Sequence, residues 1–490
     1  MQALQPDLAF DGVSHHQILL RFSGKIGVVP VLESRPADRF ELVAAGKTHD
    51  RSGEFFLRVD AREIGNQDDR PRGELANLFS HLARHHLGQP NGGRAPAETA
   101  RQVALGRPEH RGCGAREEIR VLEFAGIGPA PFAAMLLADL GADVIRVDRV
   151  GAAHHALPAG LGAVSGRNRR SIAVDVKNDD GRDIVLRLAD EADVLVEGFR
   201  PGVAERLGIG PEAVMQRNPG IVYARMTGWG QDGPRSTEAG HDINYIALTG
   251  ALHSIGRSGD RPVPPLNLVG DYGGGALYLV VGVLAALVER SGSGRGDVID
   301  AAMIDGAASL MLPTYQMLAM GVWRDDRGVN LLDGAAPFYD TYSTSDGGAM
   351  AIGPIEPQFY AEFVDLLGLD LGALPPQLDV ASWPDVKERF AAVFRTATRA
   401  EWTERFAGTD ACVVPVLSLE EAPEDPHNRA RRTFIEVDGV VQPAPAPRFD
   451  RATLRVPTPP VPVGAHTVEI LGELGLSDQA GRWFEEGVVA

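Results

Sequence analysis

The sequence predicts an α/β protein built on a doubly wound parallel sheet, with long helices following it and a smaller α+β unit after those. Three observations predict this. Strand, glycine turn, helix and strand succeed one another over residues 119–148, the alternation continues to residue 226, and the pattern changes to long helices at Gly273 and again at Pro337. A strand, a helix and a second strand within about 30 residues make a βαβ unit, and such a crossover joins parallel strands.

In the first unit, residues 119–124 form the strand, 125–129 a tight turn, 131–140 a helix stopped by Gly141, and 143–148 the second strand. Strands over 171–176, 193–197 and 221–226 follow, with helices over 181–190 and 202–207, which is the doubly wound pattern. Helices over 276–289 and 301–321 flank a strand at 297–300. Met303, Met311, Met317 and Met320 lie along the second helix, where a core or dimer seam is the plainer reading than a ligand-lined surface. A hairpin over 342–353, turning at Asp346, Gly347 and Gly348, leads into helices over 357–367 and 383–396. A Pro-rich strap at 442–447 and a last helix over 466–474 return the chain to a core. The division is therefore 118–336 for the large domain, 337–425 for the small one and 426–490 for the connector and final helix.

Residues 1–117 read differently. Seven of the 13 histidines fall there, and only 74–87 has helical spacing, through Leu75, Leu78, Phe79 and Leu82. A largely disordered extension is expected, one explanation being an upstream start codon. His81, His85 and His86 suggest a metal site, but a solvated cluster is the plainer reading.

At 490 residues two or three domains are expected. The formal charge, 48 − 66 = −18, argues against nucleic acid as a partner. It also requires any anionic ligand to be held by a local cluster of arginines and helix N-termini. Two cysteines, Cys113 and Cys412, fit a reducing cytoplasm. The longest apolar stretch, 276–288, is too short for a membrane span and is cut by Gly282, and the first residues lack a secretory signal. A cytoplasmic protein without membrane partners is expected.

Two runs carry the chemistry. Gly240-His241-Asp242-Ile243-Asn244-Tyr245 and Asn267-Leu268-Val269-Gly270-Asp271-Tyr272-Gly273-Gly274-Gly275 each hold one proton-transferring side chain, His241 or Asp271. The second opens a long apolar helix, whose first N–H groups can hold a developing oxyanion. Taken alone, His241 is more often structural and Asp271 a helix N-cap. Gly126 and Gly128 invite a dinucleotide reading, but Pro131 stands where the third glycine belongs. Arg149, just past the second strand, suits a phosphorylated ribose, as in NADP or coenzyme A. Arg169, Arg170 and Arg200 add guanidinium groups near strand ends.

On these runs, and on 125–129, 139–145, 197–202, 223–230 and 355–360, the sequence closely resembles the α-methylacyl-CoA racemases of the family III CoA-transferase fold. The resemblance spans about 119–451. It implies a large Rossmann-like domain, a small domain and an interlocked homodimer with active sites between subunits. Carried over by position, it implies His241 and Asp271 as the catalytic pair and Glu356 as the carboxylate supporting the histidine. Asn267 and Tyr245 would line the site, with Gly270 and Tyr272 beside Asp271 on the substrate. Ile127 and Arg149 would contact CoA, and Arg169, Arg170, Arg200 and Arg225 are the further CoA-binding candidates. Phe132, expected in a turn, departs from some relatives.

The implied reaction interconverts 2R- and 2S-methyl-branched acyl-CoA thioesters through an enolate, with CoA as part of the substrate, no separate cofactor and no metal. N–H groups near Asp271 and Tyr272 are the expected oxyanion donors. The rival on the same fold is a CoA transferase with Asp271 as nucleophile. A dehydrogenase fails on the glycine pattern, and a non-catalytic acyl-CoA carrier leaves three acid/base groups without a purpose.

Overall fold

A computed structural model of the chain describes residues 118–151, 165–452 and 454–490, together with the backbone of four strands between residues 17 and 60. It divides into two units, Met1–Pro96 and Ala97–Ala490. In the first, β1 (Gln17–Phe22) pairs antiparallel with β2 (Lys25–Pro30), and β3 (Arg39–Thr48) with β4 (Arg51–Asp60). These hairpins are not in the sequence reading, although Phe40 and Leu42, then Leu57 and Val59, alternate with charged residues at strand period. The helix expected over 74–87 and its histidines lie outside the described residues.

The second unit holds a six-stranded sheet of β5 (Arg120–Phe124), β6 (Asp143–Asp148), β7 (Arg169–Ala173), β8 (Val194–Glu197), β9 (Val222–Thr227) and β10 (Val298–Ala302). Its order is β10-β9-β8-β5-β6-β7 and every pair is parallel. The chain winds outward from β5 through β6 to β7, then returns to β8 on the other side. The topological switch therefore lies between β5 and β8, where the crevice of such a sheet opens.

Successive strand residues point to opposite faces, and both faces are buried. Leu122, Ile145, Leu195 and Tyr223 pack on α2 (Asp179–Glu191) and the C-terminal helices. Val121, Val144, Val196 and Val222 pack on α1 (Pro129–Asp139). Two short helices, α3 (Val203–Arg206) and α4 (Pro211–Arg217), join β8 to β9, the second unforeseen. Phe132 belongs to α1, not to the preceding turn, because Pro129 starts the helix at a position where a missing N–H costs nothing.

After β9 come α5 (Asp242–Ala247), a wide-turned π-helix over Leu268–Ala276, and α6 (Leu277–Ser293) running on from it. Leu268–Ser293 is thus one rod of 26 residues, long and apolar enough by length and composition to cross a bilayer, where the sequence reading measured only 276–288. Leu279, Val280 and Val283 bury it against the sheet, whereas Leu277, Val281 and Val288 are exposed. The helix expected over 301–321 is two, α7 (Met303–Leu310) and α8 (Leu312–Ala319), broken at Met311 because Pro313 cannot continue the hydrogen-bond ladder. α7 crosses the π-helix backbone to backbone: a Cβ on Gly274 would stand 2.5 Å from the Ala307 nitrogen.

The small domain is a three-stranded sheet, β11 (Asp340–Ser343), β12 (Ala349–Ile352) and β13 (Val413–Pro415), under α9 (Pro357–Leu366), α10 (Trp383–Phe394) and α11 (Arg399–Phe406). Phe338, Phe363, Phe390, Phe394 and Trp402 fill its core. The expected strap begins inside a hairpin, β14 (Phe434–Val437) with β15 (Val440–Pro443). The chain then crosses back, Thr458 N–H donating to Asn168 Oδ1 at 2.7 Å. It ends in α12 (Thr467–Glu473) and the unforeseen α13 (Ser477–Glu485), which complete the core.

Candidate active site

The turn after β5 enters the crevice. Gly128, at φ 79°, turns the chain back so closely on Asp271 that a Cβ would lie 3.3 Å from Oδ2. Asp271 sits in the first turn of the π-helix rather than at its cap, which is Asn267. Asn267 donates its side-chain amide to Asp271 Oδ2 at 3.0 Å. Burial holds the Asp271 carboxyl above its ordinary range, and the charge of Asp242 adds to this, while the Asn267 hydrogen bond and the His241 charge oppose it.

His241 precedes α5 in extended backbone, its N–H donating to Asn244 Oδ1 at 3.0 Å, and its ring is exposed. Asp242, the next residue, accepts the Asp271 N–H at 2.7 Å, which brings the two expected proton carriers to the same part of the crevice. Tyr245, buried on α5, meets Trp229 edge-on with centroids 4.7 Å apart. Burial raises its hydroxyl pKa, Asp271 adds to the shift, and Arg200 opposes it. Tyr272 packs on Phe132, ring centroids 4.6 Å apart, as an aromatic wall beside Asp271.

Two expectations change. The Gly270 and Asp271 N–H groups donate to Asp242 Oδ2 at 2.6 and 2.7 Å, and the Tyr272 N–H turns back to the Asn267 carbonyl at 3.4 Å. The expected oxyanion donors are therefore occupied, and Gly270 offers the substrate no free donor. Glu356 caps α9 on the small domain, where its charge bears on Cys412. Among the described residues no hydrogen bond joins it to His241.

A cavity of about 580 Å³ opens at the carboxyl ends of β5 and β6, lined by Ile127, Arg149, Lys177 and Phe199 among others. Arg149 and Lys177 are exposed, and among the described residues neither side chain has an acidic partner. Residues 117–467 match the profile of CoA-transferase family III. The chain belongs to that family. It is 50% identical over 368 residues to an alpha-methylacyl-CoA racemase of Mus musculus, covering 74% of this chain and 93% of that one. It is 45% identical to the Homo sapiens protein of the same name, over 74% and 94%. The solved structure of a CAIB/BAIF family protein from Brucella suis superposes with a TM-score of 0.65 at 26% identity, over 73% and 98%.

In a chain of net charge −18 it matters which cations are free to meet an anion. Arg169 lines the cavity, but its guanidinium is taken up by Glu123, 2.5 Å away, and by the carbonyls of Ser165 and Pro131. Arg170 pairs with Asp143, Glu469 and Glu473, and Arg225 with Glu197 at 2.9 Å and Glu205 at 2.8 Å. These three hold the fold together rather than offering free charge, which leaves Arg149, Arg200 and Lys177 without an acidic partner among the described residues. The sequence reading missed Lys177 and Asp242. A lysine just past a strand end and an acid directly after His241 were the signals available.

Proposed function

We propose that the chain interconverts 2R- and 2S-methyl-branched acyl-CoA thioesters by removing and returning the α-proton. The single observation that carries this is the shared space of His241 and Asp271, a base and a raised-pKa acid, at the switch point of the sheet. The high identity to proteins named as such racemases supports the same reading.

The phosphorylated adenosine end of CoA would lie in the cavity against Arg149 and Lys177, and Ile127 would flank the path to Gly128 and Asp271. The thioester makes the α-proton acidic, His241 takes it from one face, and Asp271 supplies one on the other, with roles reversed in the opposite direction. Donors for the enolate oxygen would come from the Asp242 and Ile243 N–H groups that open α5 beside His241, which have no hydrogen-bond partner among the described residues. Glu356 would reach His241 from the small domain of a second chain, in an interlocked homodimer. The exposed apolar faces of α6 and α8, with Val281, Val288, Leu312 and Tyr315, support that assembly. The enzyme would serve the metabolism of branched fatty acids in the cytoplasm, without a separate cofactor.

The test is NMR of a pure 2S-methylacyl-CoA in D₂O, with His241→Ala and Asp271→Ala alongside. The expected result is α-proton exchange with loss of stereochemical purity; inversion is abolished in both variants, and exchange only in the variant lacking the base that faces the 2S proton. CoA moving instead to an added carboxylate, with no exchange, would make Asp271 a nucleophile and the protein a transferase.

A further inference from the structure

We propose that Asp242 is a positioning residue: its buried carboxylate ties the segment bearing Asp271 to the turn bearing His241, and so fixes the separation of the two proton carriers. This rests on the racemase reading above.

Asp242 is the first residue of α5, directly after His241, and is 6% exposed. Its Oδ2 accepts two consecutive N–H groups, from Gly270 at 2.6 Å and Asp271 at 2.7 Å. Charge-assisted hydrogen bonds are short and strong, and two on adjacent peptides fix the orientation of the backbone as well as its position. The direction of the Asp271 side chain follows from that orientation. Gly270 completes the attachment, because a Cβ there would lie 2.5 Å from Oδ2 and 2.9 Å from Cγ of Asp242.

The arrangement is costly in a way that local helix stability does not explain. Oδ1 of Asp242 is buried with no hydrogen-bond partner, and among the described residues no Lys, Arg or His forms an ion pair with this carboxylate. A carboxylate buried without a counter-ion destabilises a fold. His241, not Asp242, occupies the cap position of α5, so Asp242 does not serve its own helix as a cap. Its Oδ2 reaches 28 and 29 residues along the chain, to Gly270 and to Asp271, the proposed catalytic acid.

A two-base reaction gives this role its own signature. Inversion needs a group on each face of the α-carbon, whereas exchange with solvent needs only one. If Asp271 is displaced relative to His241, the enantiomer deprotonated by His241 still exchanges its α-proton, but the deuteron returns to the same face. Exchange then outruns inversion, which a general loss of stability would not produce.

The experiment compares the full-length wild type with Asp242→Ala, Asp242→Asn and Gly270→Ala, following deuterium uptake and inversion of each pure enantiomer of a 2-methylacyl-CoA in D₂O. For Asp242→Ala, inversion should fall roughly 100-fold, the scale of a misplacement of about 1 Å, and the exchange-to-inversion ratio should rise at least about 10-fold for one enantiomer. Gly270→Ala, which displaces the carboxylate without removing it, should raise the same ratio and carries the test if Asp242→Ala does not fold. Asp242→Asn keeps an acceptor oxygen for both N–H groups and should hold the ratio near that of wild type. An unchanged ratio in Asp242→Ala or Gly270→Ala overturns the proposal, as does an Asn variant as disturbed as the Ala variant. A wild type that neither exchanges nor inverts overturns the racemase reading instead.

Discussion

Asn267 and Asp271 are one turn apart on the same π-helix, and the amide of the first donates to the carboxylate of the second at 3.0 Å. A neutral donor thus favours the ionised acid while burial favours the protonated one. Removing the amide removes the larger of the two influences that lower the pKa. In Asn267→Ala the Asp271 pKa should therefore rise further, and the limb of kcat/KM governed by this group should move to higher pH in both directions of the reaction. A pH–rate profile of each enantiomer checks it, and a shift to lower pH would contradict the assignment.

Gly128 is pressed between a left-handed backbone and the Asp271 carboxylate. Gly128→Ala should cost about 1–2 kcal/mol in backbone strain. It should also push the Asp271 carboxylate aside, lowering kcat by about 10-fold or more. Thermal melting and steady-state kinetics on the same preparation separate the two effects.

The free cations and the paired ones should respond oppositely. Arg149→Ala or Lys177→Ala should raise KM about 10-fold, the worth of a charge-assisted hydrogen bond of about 1.5 kcal/mol, with little change in melting temperature. Arg225→Ala should leave KM alone and destabilise the fold by about 3 kcal/mol, because it strands Glu197 in the core. Burial already holds the Glu197 pKa above its ordinary range. A carboxyl whose folded pKa is raised loses stability as pH rises through that pKa. The Arg225→Ala deficit should therefore grow from acid to neutral pH, as melts at several pH values would show.

Leu312 is 56% exposed on α8 and Val281 63% on α6. If these faces form the proposed homodimer, replacing either with Glu should leave a monomer in sedimentation where the wild type is a dimer. Activity should fall with it, since Glu356 would then lack a partner's His241.

The sheet was legible because buried parallel strands and their helices repeat at regular spacing: the 119–124 and 143–148 expectations coincide with β5 and β6 to within a residue. Pattern says less about breaks inside apolar stretches. Met311 looks like any position of a long helix until Pro313 is weighed, and the wide turns at Asp271 leave no periodic mark. His241, Asp271 and Asn267 could be named because they stand in short distinctive runs. The arginines could not be sorted, because Arg225 meets Glu197 only through the β8–β9 register. The link between Asp242 and Gly270 is likewise made by tertiary approach, not by sequence distance.

The crossing of α7 over the π-helix has one more consequence. At Gly274 and Gly306 the floor beneath Asp271 is main chain lying directly on main chain, with no side chain to exchange. Any new substituent there would wedge the two helices apart, so this floor has no small steps by which it could drift. Adaptation to a longer, branched or aromatic acyl chain would have to proceed on the walls instead. Phe132 and Tyr272 are where a change of size could be absorbed without moving His241 or Asp271.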